Sequence, residues 1–541
     1  MRTHLLSPAR RVAAGLLILL LPSLTACGAE ATGTPAAAGQ ARSIGATAPT
    51  GMTAPAAAAT DTVAPAAADA AQLRAVQPLA ASTVAAAEAP PPTPLPAPPA
   101  ANAFIATAAD PLSTFGMDVD TASYTNVRNY LNAGQLPPPA LVRAEEFINY
   151  FHYPYPAPTN GPFGITVDGA PSPFTAGETQ IVRVGIQGRR IDPAQRQDAV
   201  LTFVIDVSGS MDQPNRLPLV KDSLRALVQQ LRPTDQVAIV IFSNETQVVL
   251  DHTSGESRDK MLAAIDSLQI GGATYLEAGL RAGYDLAGRH FKRGAINRVI
   301  LCSDGEANVG ATGPDSILKV IHQYSAQGID LTTVGFGMSG YNDPMMQQLA
   351  DQGNGNAAFV DTLQAAQRLF GENLTGTLQV IARDAKIQVD FNPAVVSRYR
   401  LLGYEKRAIA DGDFRNDKVD AGEVGAGQSV TALYEVVLTG QGTGSALTVQ
   451  IRYADALTGQ VYEAAQPFAR TRFISDAAQA APDWQLAVAA AGFAGWLRGD
   501  EPAIPLAQVQ TLAARAAAQL ANDADVQEFA RLVVQAGSLR K

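Results

Sequence analysis

Between Asp198 and about residue 372, apolar runs of strand length alternate with stretches of helical period, and few architectures accommodate that alternation. Residues 199–205 are apolar except for Thr202, the pattern of a strand buried on both faces. A helix over 217–231 follows, with Leu217, Val220, Leu224, Leu227, Val228 and Leu231 on one face. The spacing then predicts a strand at 237–242, helices at 258–268 and 276–290, and a strand at 299–302. Helices at 315–327, 343–352 and 363–372 alternate with strands at 330–336 and 357–360. Strands joined mostly by single helices predict an α/β fold with a doubly wound, mostly parallel, Rossmann-like sheet. Ligands of such sheets bind beyond the carboxyl ends of the strands.

Five oxygen-bearing residues fall at those ends. Asp206, Ser208 and Ser210 follow the first strand, Asp304 follows a central one, and Thr274 lies in a loop between two helices. A single Asp or Ser there would be read as a helix cap. Five together, with hydroxyls outnumbering carboxylates and no His or Cys among them, suit a hard divalent cation. The pieces Asp206-x-Ser208-x-Ser210, Gly271-Gly272 before Thr274, and Asp304-Gly305 resemble the metal-ion-dependent adhesion site (MIDAS) of von Willebrand factor type A domains, over roughly 185 residues. The resemblance implies that Asp206, Ser208, Ser210, Thr274 and Asp304 hold Mg²⁺ (or Mn²⁺ or Ca²⁺) directly or through water. It also implies that a carboxylate from a protein ligand completes the shell. Glu306 reads as a solvent-facing charge, and Cys302 as a small buried apolar residue in its strand.

The amino end is a different material. Arg2, Arg10 and Arg11 precede a short apolar run at 12–21, and Leu24-Thr25-Ala26-Cys27 closes it. This resembles a bacterial lipoprotein signal, which implies cleavage before Cys27 and its lipidation. Residues 28–105 are Ala, Pro, Thr and Gly with few large apolar side chains, so a disordered tether is expected. With Cys27 lipidated, Cys302 is the other of the two cysteines, and no intrachain disulfide is expected.

The flanks of the α/β segment read as β-rich, with strands at 164–167 and 180–187 before it, and at 385–391, 395–404, 429–438 and 446–452 after it. One antiparallel sandwich hosting an inserted domain on two hinge-like connections is the expected arrangement. Asp118-x-Asp120 superficially matches a phosphatase motif, but Ala122 stands where Thr or Val is needed, so Asp120 reads as the cap of a helix over 123–132. Asp411, Asp413, Asp417 and Asp420 read as a solvated loop, because Arg415 and Asn416 break calcium-loop spacing. Segments at 507–520 and 526–534 predict amphipathic helices forming a small cap. The expected divisions are a signal (1–27), a tether (28–105), an N-terminal region of helix plus strands (106–196), the α/β domain (197–382), a β-rich domain (383–480) and a helical segment (481–541). The segments at 118–151 and 420–435 resemble a family of bacterial lipoproteins with a von Willebrand factor type A domain and a C-terminal domain of unknown function.

A net charge of −10 argues against generic nucleic-acid binding and makes a metal bridge to an acidic ligand reasonable. The five histidines show no paired-ligand spacing, and His252 and His290 read as exposed loop or helix residues. The expectation is a non-enzymatic, lipid-anchored binding protein on the extracytoplasmic face of a bacterial membrane, with an unidentified protein ligand. A metal-modulated scaffold of an envelope complex is the alternative, and a metal-dependent hydrolase a weaker one.

Overall fold

The computed structural model describes residues 100–540, apart from 118–119, 176–177, 306–313, 338–342, 420, 441 and 501–502. The signal with Cys27, nearly all of the tether, Glu306 and Asp420 lie outside the described residues. Strands β1 (Ile105–Ala106) and β2 (Leu112–Gly116) come first, then helices α1 (Ala122–Asn132) and α2 (Ala144–Asn149), then β3 (Phe163–Pro171) and β4 (Gln180–Gly188). The α/β unit opens with β5 (Ala199–Asp206), α3 (Leu217–Gln230), β6 (Gln236–Phe242), β7 (Thr246–Ser254), α4 (Arg258–Asp266) and α5 (Leu276–Arg289). It continues with β8 (Ile296–Ser303), α6 (Pro314–Ser325), β9 (Ile329–Phe336), α7 (Asp343–Gln352), β10 (Ala357–Val360), α8 (Leu363–Gln367) and α9 (Leu374–Leu378). Then come β11 (Val380–Phe391), β12 (Val396–Leu402), β13 (Ala408–Ile409), β14 (Val424–Gly425), β15 (Ser429–Leu438), β16 (Ser445–Asp455) and β17 (Val461–Ala469). Helices α10 (Pro482–Arg498), α11 (Leu506–Gln519) and α12 (Ala524–Leu539) close the chain.

The inserted sheet has the order β10-β9-β8-β5-β6-β7, parallel except for β7, which runs against β6. Alternation along β5 sends Leu201, Phe203 and Ile205 toward α3 and α4, and Val204 toward α5. Both faces are therefore covered, which is why these strands read as unbroken apolar runs. Strand order reverses at β5, with β8 on one side and β6 on the other, so the carboxyl end of β5 is the switch point of the sheet.

The host is an antiparallel sandwich of β1-β12-β15-β4-β3 on β13-β2-β11-β16-β17, and the insert leaves between β4 and β11. Phe115, Val184, Ile387, Tyr399 and Tyr434 fill the space between its sheets. The carboxyl-terminal helices form more than a small cap. Trp484, Phe493 and Phe529 share a core with Tyr124 and Phe147 of α1 and α2, tying the two ends of the described chain together.

Several expectations need correction. Strand β7 has no counterpart in the sequence reading, because it is a half-exposed edge strand without strong alternation. The helix expected over 363–372 stops at Gln367 and continues as a π-helical turn through Glu372. Asp120 accepts from Gln347 Nε2 (2.6 Å) and Arg407 Nη2 (3.2 Å), while the first turn of α1 is served by Glu146 Oε2, which accepts the Ser123 N–H at 2.7 Å. The acidic loop is not merely solvated: Asp411 accepts from Thr114 Oγ1 (2.6 Å) and Asp417 pairs with Arg452 (2.5 Å). The two connections to the insert are not a loose hinge. The Gln197 N–H donates to Gln379 Oε1 (3.1 Å), and Arg128 of α1 makes a buried ion pair with Asp361 beyond β10 (2.5 Å).

Candidate metal centre

The site is assembled from three loops at the switch point. Asp206 ends β5 fully buried, and its Oδ1 accepts the Ser208 N–H at 2.8 Å, a local turn that bends the chain away from the sheet. Its Oδ2 accepts from Ser303 Oγ at 2.9 Å, which fixes the carboxylate plane. The hydroxyl oxygens of Ser208 and Ser210 lie 3.0 Å apart. The Gly271-Gly272 loop is pinned against this turn, with the Gly271 N–H donating to Val207 O (2.6 Å) and the Gly209 N–H to Gly272 O (2.9 Å). Thr274, two residues farther on, is buried. The glycines are needed for this approach: a Cβ at Gly271 would sit 2.4 Å from Ser243 Oγ, and one at Gly272 2.3 Å from Asn244 Nδ2. Asn244 Oδ1 in turn accepts the Ala273 N–H at 2.6 Å.

The third loop carries Asp304, which is buried beyond β8. Arg216 Nη1 donates both to Asp304 Oδ2 (2.6 Å) and to the Ser210 carbonyl (2.7 Å), so it links the first loop to the third. Burial pushes the Asp206 carboxyl above its usual range, and the Asp304 charge adds to that. Asp206 and Asp304 are two buried carboxylates near one another and Arg216 pairs with Asp304, which leaves an excess of negative charge that favours a cation. The sequence reading singled out Asp206, Ser208, Ser210, Thr274 and Asp304. The structure places the first three in one turn and brings the loops bearing the other two against it. Arg216, Ser303, Ser243 and Asn244 also shape the site, and the motif pattern does not mark them. Only Arg216 left a local signal, a positive charge directly before a helix N-terminus, where the helix dipole disfavours it.

The donor set is carboxylate and hydroxyl oxygen, with the carboxylates oriented by Ser303 and Arg216, and it fits a hard cation such as Mg²⁺ with retained waters. Cys302, on β8, is buried, and burial pushes its thiol well above the usual range.

His252 and His290 are not the separate, exposed residues expected. Their rings stack with centroids 4.3 Å apart, and the His252 side chain is only 1% exposed. Burial, together with His290, pushes the His252 imidazole down to about 4. Sequence spacing hid this pair because strand pairing and helix packing bring its members together.

Residues 201–372 match the family described as von Willebrand factor type A domain. Residues 97–183 match a family described as von Willebrand factor, and residues 376–445 one described as "Uncharacterized protein YfbK, C-terminal". The chain is 42% identical over 355 residues to YfbK of Escherichia coli, an alignment covering 64% of this chain and 61% of that protein. It is 24% identical over 313 residues to protein sll0103 of Synechocystis, covering 56% of this chain and 73% of that one. Among solved structures, a von Willebrand factor type A protein from Catenulispora acidiphila is similar at 16% identity and a TM-score of 0.40, covering 68% of this chain and 89% of that one. Domains of this type typically bind a divalent metal and engage protein partners. The chain therefore carries a von Willebrand factor type A domain, set between two segments that match families of their own.

Proposed function

We propose that this protein is a lipid-anchored, non-enzymatic binding protein of the bacterial cell envelope that engages a protein partner through a divalent metal. The observation that carries the reading is the Asp206, Ser208 and Ser210 turn, locked by backbone bonds to the Gly271-Gly272 loop and by Arg216 to Asp304. Asp206, Ser208, Ser210, Thr274 and Asp304 would hold Mg²⁺, and the bound ion would supply an open position for an acidic group on the partner. The lipid anchor rests on the signal pattern ending at Cys27. Among the described residues no helix is long and apolar enough to cross a membrane.

The test is a pair of measurements on the folded chain. Millimolar Mg²⁺ or Mn²⁺ is expected to raise the melting temperature by binding the native state. EDTA should reverse this, and Ser208→Ala with Thr274→Val should abolish it. Crosslinking in native envelopes should then retain a partner with the wild type and lose it with that variant. A melting curve indifferent to both ions would count against the metal site, whereas metal-dependent turnover without a retained partner would favour an enzyme.

A further inference from the structure

A second cluster of ligating side chains lies away from the adhesion site, on the edge of the inserted sheet. Val237 of β6 pairs with Thr253 of β7, and Ile239 pairs with Leu250, so Asp251 and His252 together stand opposite Ala238 alone. That is a β-bulge. In a regular strand neighbouring side chains face opposite sides, and a bulge breaks the alternation and re-aims them. Here it lets Asp251 and His252 converge with His290, the residue directly after α5.

Asp251 Oδ1 lies 3.3 Å from His290 Nε2 and 3.9 Å from His252 Nδ1, and one ligand atom from each residue falls within 4.8 Å of the others. Tetrahedral zinc, with bonds of about 2.0–2.1 Å, sets its ligand atoms ~3.3 Å apart. The His252 and His290 rings stack with centroids 4.3 Å apart, so to bind a metal the His290 ring, 35% exposed, must rotate off that stack until its Nε2 lone pair converges with that of His252 Nδ1.

The independent indication comes from His252. Its Nε2 is 3.2 Å from Thr202 Oγ1, while its buried Nδ1 has no hydrogen-bond partner. A buried polar nitrogen left unpaired destabilises the fold unless a ligand satisfies it. A metal-ligating histidine commonly donates its other N–H to an oxygen, which fixes the tautomer and aims the lone pair. Thr202 is placed for that role, and it is the one polar residue in the otherwise apolar run of β5. Position adds to the chemistry, because the carboxyl end of α5 favours a cation.

We propose that Asp251, His252 Nδ1 and His290 Nε2 form a site for a borderline transition-metal ion of the Zn²⁺ type, with water in the fourth position. Two imidazoles and a carboxylate select such an ion over Mg²⁺, the reverse of the adhesion site. The two sites are also separate in space, since Thr202 and Asp206 lie four residues apart on β5, roughly 13 Å along the strand. A metal here would staple the end of α5 to the edge strand β7. The opposite end of that helix follows directly from Thr274.

The test is a Zn²⁺ titration of the folded chain against a chromophoric chelator, with Co²⁺ absorption as a second readout. Wild type is expected to bind one zinc beyond any background, in the presence of millimolar Mg²⁺, and to give the visible bands of four-coordinate cobalt. Asp251→Asn and His290→Ala, both at accessible positions, should each weaken zinc at least tenfold with circular dichroism unchanged. Ser208→Ala with Thr274→Val should leave zinc binding intact, which separates this site from the adhesion site. The proposal is overturned if wild type binds no zinc, if His290→Ala binds it as tightly as wild type, or if Mg²⁺ displaces it.

Discussion

Arg216 is the residue whose chemistry most directly shapes the candidate metal centre. Its guanidinium, 2.6 Å from Asp304, supplies one of the charges that a metal ion would otherwise supply. Arg216→Gln is therefore expected to tighten Mg²⁺ binding severalfold in calorimetry while lowering the melting temperature of the metal-free protein. An unchanged affinity would mean that the guanidinium does not compete with the ion. Asp235 works in the other direction. Burial alone would push its carboxyl up, but two bonds from Arg196 and the N–H groups of Arg232 and Ala199 hold it below its usual range. A lowered folded-state pKa gives stability that is present above about pH 4 and lost as the pH falls through the folded value. Asp235→Asn should accordingly flatten the fall in stability below pH 4. It should also cost about 3–5 kcal/mol at neutral pH, because Arg196 is left buried and unpaired. Urea unfolding at several pH values would check both.

At the scale of elements, α5 depends on Gly283 to approach the sheet. A Cβ there would lie 2.3 Å from Val204 Cγ2, and valine is stiff at χ1. Gly283→Val is expected to destabilise the fold by about 1–3 kcal/mol. It should also weaken Mg²⁺, because α5 continues from the Thr274 loop; equal Mg²⁺ affinity in the variant would uncouple helix position from the site. What could be read from the sequence follows the same physics. Parallel strands covered on both faces, such as β5 and β9, are continuous apolar runs, so the alternation with helices was legible. The half-exposed β7 and the largely exposed β17 lack that pattern and went unread. The oxygen donors Asp206, Ser208 and Ser210 were legible because they are close in sequence. Ser303 and the Asp251, His252 and His290 group acquire meaning only from strand register and a bulge.

For the whole molecule, the insert is held by more than its two connections. Arg128 and Asp361 are both almost wholly buried, and Arg368 reaches Asp525 near the start of α12. Arg128→Ala would leave Asp361 buried without its main partner, at a cost of about 3–5 kcal/mol. Differential scanning calorimetry should then show the single transition of the wild type splitting, with the inserted domain melting apart from its host. The adjacency of Gln197 and Gln379 bears also on the order of events during synthesis. Strands β1 to β4 emerge from the ribosome long before β11 to β17, the partners they need, and the intervening chain must first be spanned. A folded insert whose ends already touch turns that long loop into a short one, recovering about 2 kcal/mol of closure entropy. The domain that carries the metal site would thereby also act as the clasp that lets the sandwich around it close.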